Sequence, residues 1–440
     1  MKKFLSSNWL VGFIIILIST FYLLGVAQVP FHPDEQTQIF MSGDWEQLLT
    51  HPSHLFWQPH QHQDLRLRYR ELDPPLTRWI IGIGRWIAGL PAPEVDWDWT
   101  KDWEANQAAG ALPSPHLLLI SRISVAIFFP VSLFLMFQIG QSLGGKTIAW
   151  LNMFALSSNA LVLLHTRRAM AESALLFTAI LTLWAMDHFR QKSIWLAISA
   201  ALAFNSKYLN APLILLCLLA IIFQPKKSQP SSQKVVLQLF QFLIIFMTIT
   251  LALNPFLWRH PLSAIQDAWQ QRKELVNQQV WIYSLNNPDL VWKTIPERFF
   301  GLFINLFINQ PAIADVANYT KFTHHAESLY FSNPLTWISR GIVTGGLMII
   351  LTLYGFIMAL LRMKHGNFDK RRYLGLLWIG TIIQTLALVL FNPLPFQRYV
   401  MPLIPFICIW MSFGLESLAR LGIQLYQRIS RSGFHSSLSP

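Results

Sequence analysis

The sequence predicts an all-α polytopic membrane protein, with about ten transmembrane helices and two large external loops. Three observations predict it. Of 440 residues, 53% are hydrophobic and only 13% are charged, about half the charged share of a soluble domain. Apolar runs close to the length of one bilayer crossing recur along the chain, and mean hydropathy is +0.38. The net charge of +12 comes largely from Lys and Arg in short loops between those runs, which is the positive-inside pattern and argues against a nucleic-acid partner. Cys217 and Cys408 both fall inside apolar segments and offer neither a disulfide framework nor metal-ligand spacing.

The elements follow in order. Lys2 and Lys3 precede an apolar run from Trp9 to Ala27. Gly25-Val26-Ala27 resembles a signal-peptide cleavage site, but the length of the run favours an uncleaved first span with the N-terminus in the cytoplasm. Residues 29–115 form a first external loop. Leu76–Leu90, interrupted by Arg78 and Arg85, reads there as an interfacial helix whose arginines either only bind lipid headgroups or serve a site, and Trp97, Trp99 and Trp103 read as an interfacial anchor. Spans two, three and four cover 117–139, 147–164 and 171–189.

Residues 193–223 read as two short helices broken at Asn205-Ser206-Lys207. That choice keeps Lys226, Lys227, Lys234, Arg362, Lys364, Lys370, Arg371 and Arg372 cytoplasmic, and it sinks Lys207 below the outer surface toward a cavity. Residues 225–234 read as a flexible loop. The seventh span is 235–253, a second external loop runs over 254–335, and spans eight to ten cover 336–361, 373–391 and 400–417. The tail with Arg420, Arg428 and Arg431 is cytoplasmic. The whole chain, 1–440, reads as one membrane-embedded domain.

This topology gathers a specific set of polar groups on the outer face: Asp34 and Glu35, Asp73 and Arg78, Arg167, Arg168 and Glu172, Lys207, and Arg398 with Tyr399. Ionisable groups beside hydrocarbon are costly and mark site candidates. A carboxylate can take the proton of an attacking hydroxyl, and Arg or Lys can hold a phosphate. Each has a plainer reading. Asp34 and Glu35 can cap the next helix, Arg168 and Glu172 are spaced as a helical ion pair, and the tryptophans suit interfacial belts with a lesser chance of stacking on a sugar. His51, His54, His60 and His62 form a loose cluster without regular ligand spacing, and adjacent His324 and His325 suit a loop surface better than a metal.

Four segments carry a family resemblance in the right order: Pro33-Asp34-Glu35, Asp73-Pro74-Pro75-Leu76, Arg168-Ala169-Met170-Ala171-Glu172, and Gln397-Arg398-Tyr399 with Pro402 and Pro405. Phe204-Asn205-Ser206-Lys207-Tyr208 adds a fifth. The chain resembles membrane glycosyltransferases of the protein O-mannosyltransferase and aminoarabinose-transferase type, which have the C-type glycosyltransferase fold. The resemblance implies inverting transfer of a single sugar from a polyprenyl-phosphate donor to an acceptor hydroxyl at the extracytoplasmic face. It implies Asp34 as base with Glu35 beside it, and Arg168, Lys207, Arg398 and Arg78 as cations for the donor phosphate. Asp73, Glu172 and Tyr399 are supporting residues. Two positions depart from the family pattern: Asp73 stands where relatives often carry His or Lys, and Gln397 where Glu is common.

The acceptor implied is a lipid, glycan or protein hydroxyl, and membrane lipids are the other partners. No nucleotide is expected, because no Gly-rich phosphate loop opens a helix on the cytoplasmic side. No cofactor is expected either; a divalent metal is not required where fixed cations do its work. The plasma membrane, as a bacterial inner membrane, with both termini cytoplasmic is the expected location. A transporter or scramblase of lipid-linked sugars, or a polymerase or ligase of lipid-linked glycans, is the alternative.

Overall fold

The computed structural model describes residues 8–59, 64–189, 192–224, 231–286, 288, 291–315, 319–364 and 368–435. Among them there are helices and connecting turns but no strands. His60, His62, Arg190, Lys226 and Lys227 lie outside the described residues, as does most of the expected loop at 225–234; Ser232–Lys234 are already helical.

In chain order the helices are α1 Asn8–Leu24, α2 Pro33–Met41, α3 Asp44–Thr50, α4 Leu65–Leu72, α5 Leu76–Ile87, α6 Trp103–Ala108, α7 Pro115–Ala126 and α8 Phe129–Gly144. Then come α9 Lys146–Ser157, α10 Ala160–His165, α11 Ala171–His188, α12 Ser193–Ser206, α13 Pro212–Ile222 and α14 Ser232–Leu253. The set closes with α15 Pro261–Asn286, α16 Ile295–Phe303, α17 Thr320–Ser332, α18 Ile342–Met363, α19 Phe368–Phe391 and α20 Ile404–His435. Among the described residues, six stretches are long and apolar enough to cross a membrane: Trp9–Gln28, Pro115–Gly144, Ser232–Leu253, Ile342–Met363, Phe368–Phe391 and Gln397–Arg428.

One apolar core joins α8, α9, α11, α12, α13, α19 and α20. Helix α18 crosses α20 where glycines let the backbones meet: a Cβ at Gly355 would run into the Trp410 carbonyl, and one at Gly414 into that of Leu351. Small residues at such crossings are how helices pack in lipid, where no hydrophobic force drives association. The break between α12 and α13 falls at Lys207, whose backbone is extended, and a short turn over Tyr208–Asn210 leads to Pro212 in the first turn of α13. Proline fits that position because its missing N–H has no partner there to lose.

Helix α5 corrects an expectation. Its arginines turn inward rather than toward headgroups. Arg78 donates to Asp44 at 3.1 Å, and fully buried Arg85 donates to Glu46 at 2.6 Å. The exposed face is apolar, with Ile83, Trp86 and Ile87. The tryptophan stretch is corrected too. Trp97 is buried and packs edge-on against Trp99, Trp103 and Tyr319. These rings form an aromatic box in the loop layer.

Candidate active site

The site begins with how α2 starts. His32 is its N-cap, and its Nδ1 accepts the Asp34 N–H at 3.1 Å. Glu35, at the third helical position, accepts the His32 N–H at 3.1 Å, completing a capping box. Pro33 presets the first turn. This arrangement separates two neighbouring carboxylates. Glu35 turns inward and is 0% exposed; Asp34 stays 28% exposed.

Asp34 lines a cavity of about 1090 Å³. Its carboxylate is paired with Arg398, 364 residues later. The other arm of Arg398 reaches Asp315 at 2.9 Å, and Asp315 also faces His32 Nε2 at 3.3 Å. Because Nδ1 of His32 is occupied as an acceptor, Nε2 carries the proton toward Asp315. Burial pushes the Asp34 carboxyl up, but the Arg398 guanidinium outweighs it and holds it below the usual carboxylate range. Asp315 is pulled down in the same way, against its own burial, by Arg398 and His32. Both acids are therefore ionised at neutral pH.

The same cavity takes in Lys207, Glu172, Asp73, Tyr399, Arg68, Arg272 and Tyr283. Lys207 pairs with Glu172 at 2.5 Å and lies over the Tyr399 ring, 5.3 Å from its centre. Glu172 thus pairs with a residue 35 positions on, not with Arg168 one turn before it. Asp73 faces Arg272 of α15 at 3.7 Å. Among the described residues, Arg68 has no carboxylate partner within ion-pair distance. Trp99 and Thr100 line the cavity from the loop layer, while Ser206 and Lys207 line it at the broken helix pair.

Three expected contacts are corrected. Arg168, Arg78 and Glu35 do not line the cavity. Buried Arg168 donates to the carbonyls of Pro30, at 3.2 and 3.1 Å, and Ile313, at 2.7 Å. It clasps the two stretches that deliver Asp34 and Asp315. Arg78 donates to the Asp73 carbonyl as well as to Asp44. Glu35 takes Nε and Nη2 of Arg122, each at 2.7 Å, and the Ala169 N–H at 2.9 Å. All three groups are spent on protein partners, so a ligand would have to break a buried bond to reach them. Gln397 has a definite task. Its Nε2 donates to the Asn305, Asn309 and Gln310 carbonyls and its Oε1 accepts the Ala312 N–H at 2.6 Å. The amide both donates and accepts here, whereas an ionised Glu only accepts and would face the three carbonyls with no proton to give.

Asp315, Arg68, Arg272 and Tyr283 are absent from the sequence-based set. No spacing marks Asp315, and the others lie on helices with ordinary charge patterns. Arg122 carried a signal: an arginine inside an apolar run demands a partner, and Glu35 is that partner.

The fold is that of the C-type membrane glycosyltransferases. The apo-state crystal structure of ArnT from Cupriavidus metallidurans matches with a TM-score of 0.52 at 13% identity, covering 96% of this chain and 62% of that one. The Archaeoglobus fulgidus oligosaccharyltransferase, in complex with Zn and sulfate, matches at 0.50 and 11% identity, covering 96% of this chain and 51% of that one. Its apo form matches at 0.50 and 10% identity, over 97% of this chain and 53% of that one. The chain thus spans about half to three fifths of the length of these structures. No family model and no curated protein matches the sequence.

Proposed function

We propose that this protein is an inverting glycosyltransferase that moves one sugar from a polyprenyl-phosphate donor to an acceptor hydroxyl at the extracytoplasmic face. The observation that carries this reading is the meeting of Asp34 with Arg398 and Asp315 on the wall of the large cavity that also holds Lys207 and Arg272, in a fold shared with membrane glycosyltransferases. The acceptor oxygen attacks the anomeric carbon, the bond from that carbon to the phosphate oxygen breaks, and the phosphate leaves with the electron pair. The acceptor proton goes to Asp34, already ionised for the purpose. Lys207, Arg272 and Arg68 face the developing phosphate charge, which preorganised cations stabilise most in the transition state.

Asp73 fits this scheme as a holder of Arg272 rather than as a phosphate ligand. The cation comes from α15 in the second external loop instead of from position 73 itself. Arg168, Arg78 and Glu35 act as positioning residues through the loops they clasp. Trp99, held edge-on by Trp97, His32 and Tyr319, offers an aromatic face on the cavity wall against which an acceptor can stack. A lipid, glycan or protein hydroxyl satisfies this chemistry.

Ten crossings fit the same scheme: the six long spans, plus α9 with α10, α11, α12 and α13. The chain forms a single domain whose loops at 29–115 and 254–335 face outward. Both termini lie in the cytoplasm of a plasma membrane, a bacterial inner membrane by preference. The test is turnover of a labelled polyprenyl-phosphate sugar by purified protein supplied with a cell-envelope extract. Wild type releases polyprenyl phosphate and labels an acceptor, whereas Asp34→Asn does neither. Undiminished transfer by Asp34→Asn removes Asp34 from the mechanism, and passage of intact donor across vesicles without cleavage points to a transporter instead.

A further inference from the structure

A second cavity, of about 530 Å³, lies outside the site described above. It is lined by Ser53, His54, Phe56, Trp57, Trp258 and Arg259, with Gln58 at its edge. The first loop and the end of α14 build it together. The Trp57 N–H donates to the Phe256 carbonyl at 3.1 Å, and Arg70 donates to the His54 carbonyl at 3.1 Å. Both indole N–H groups are committed: Trp57 to Asp267 at 2.9 Å and Trp258 to the Leu251 carbonyl at 2.6 Å. The two rings are therefore fixed, with their apolar faces left as walls.

Two features say what this cavity meets. The first is depth. Trp258 folds back onto the last turn of α14, at the end remote from Lys234, so the cavity opens where a membrane-spanning helix leaves the bilayer. Next to it, Leu262, Ile265 and Trp269 share one face of α15 and are exposed. Exposed apolar side chains grouped at this end of α15 suit contact with acyl chains. The second feature is charge. Arg259 is exposed, and among the described residues no carboxylate lies within ion-pair distance of it. The nearby Asp267 is already bonded to Trp57. A free guanidinium beside two fixed aromatic walls, at headgroup depth and next to an apolar rim, matches a phosphodiester with acyl chains attached.

We infer that this cavity binds the headgroup of an anionic phospholipid from the leaflet on the active-site side, with Arg259 on the phosphate and Leu262, Ile265 and Trp269 along the acyl chains. The inference does not rest on the proposed transfer reaction. It gives α15 a lipid seat at one end, while Arg272 and Tyr283 of the same helix enter the large cavity further along.

The experiment uses the full chain in phosphatidylcholine nanodiscs doped with photoactivatable phosphatidylglycerol, with crosslinked peptides mapped by mass spectrometry. Label is expected on the peptides spanning 53–58 and 258–269. Arg259→Gln is expected to lower it about fivefold, the weight of one cation at a membrane surface, and Arg259→Lys to restore most of it. Label elsewhere on the protein serves as the internal reference and stays constant, which separates loss of the site from misfolding. Equal labelling of wild type and Arg259→Gln overturns the inference. So does equal labelling by a phosphatidylcholine probe. Displacement of the label by millimolar inorganic phosphate assigns the cavity to free anions and also overturns the lipid reading.

Discussion

Asp34 and Glu35 are neighbours in sequence and carry the same chemical group, yet the fold gives them opposite environments. Glu35 is closed off: Arg122, the Ala169 N–H and the His32 N–H fill its oxygens, and no solvent reaches it. Asp34 has one strong partner, Arg398, and keeps part of its surface open to the large cavity. Burial raises both carboxyls, and cationic neighbours outweigh it in both, so both are held below the usual range. Charge state therefore does not distinguish them. Access does. A saturated carboxylate can fix a loop but cannot receive a proton from an incoming hydroxyl, whereas a half-open one can.

The largest effect that probes this contrast is on turnover. Asp34→Asn is expected to lower kcat by roughly a thousandfold, within the range a general base contributes, with an unfolding midpoint close to wild type because Arg398 keeps Asp315. Glu35→Gln is expected to do the reverse. It leaves Arg122 without its countercharge in a buried site, which costs about 3–5 kcal/mol, read as a lowered unfolding midpoint in scanning fluorimetry, with turnover per folded molecule largely retained. A Glu35→Gln protein that folds like wild type and has no turnover would break the comparison and move the chemistry to Glu35. Smaller again is the donor effect: Arg272→Gln is expected to raise the donor KM about tenfold, the loss of one charge-assisted hydrogen bond, with the acceptor KM unchanged. Equal changes in both would place Arg272 outside the donor end.

How much of this was legible in the sequence depends on the range of each interaction. The helix break at Lys207 and the long apolar spans could be read, because periodicity, length and the sidedness of charge are properties of short windows. Asp34, Lys207 and Arg398 could be singled out because polar groups flanking apolar runs stand out. Their partners could not. Glu172 looks paired with Arg168 by helical spacing, yet it meets Lys207, since α11 and the α12–α13 break face each other across the cavity. Arg168 looks like an anion ligand by motif, yet it binds two carbonyls, because Pro30 and Ile313 converge on it from loops 283 residues apart in number. Asp315 sits in a loop whose return path no local pattern encodes. The inward turn of Arg78 and Arg85 was hidden for a related reason: an amphipathic helix shows that two faces differ, not which one meets lipid and which meets acids such as Asp44 and Glu46 on α3.

An effect confined to a pH window sharpens the comparison with a third carboxylate of the same loop layer. Asp96 is buried, accepts from the Tyr69 hydroxyl at 2.7 Å and the Thr37 hydroxyl at 3.3 Å, and has no cation among its described bonds. Burial pushes its carboxyl up to about 6, only partly offset by hydrogen bonds from Tyr69, Trp97 and Thr37. The sign then opposes that of Asp34 and Glu35. Between the ordinary carboxylate value and about 6, the folded protein holds a proton that the unfolded chain has lost. Stability from this group is thus full in acid and falls as pH rises through that window. Asp96→Asn removes the titration, so its unfolding midpoint relative to wild type should climb from pH 4 to about 6 and level off above, a gap on the order of 2–3 kcal/mol. Because Thr37 and Tyr69 also line the large cavity, a gap that stays flat with pH would mean that Asp96 is ionised throughout. The wall beside Asp34 would then carry a fixed negative charge, and the acceptor proton would have a second place to go.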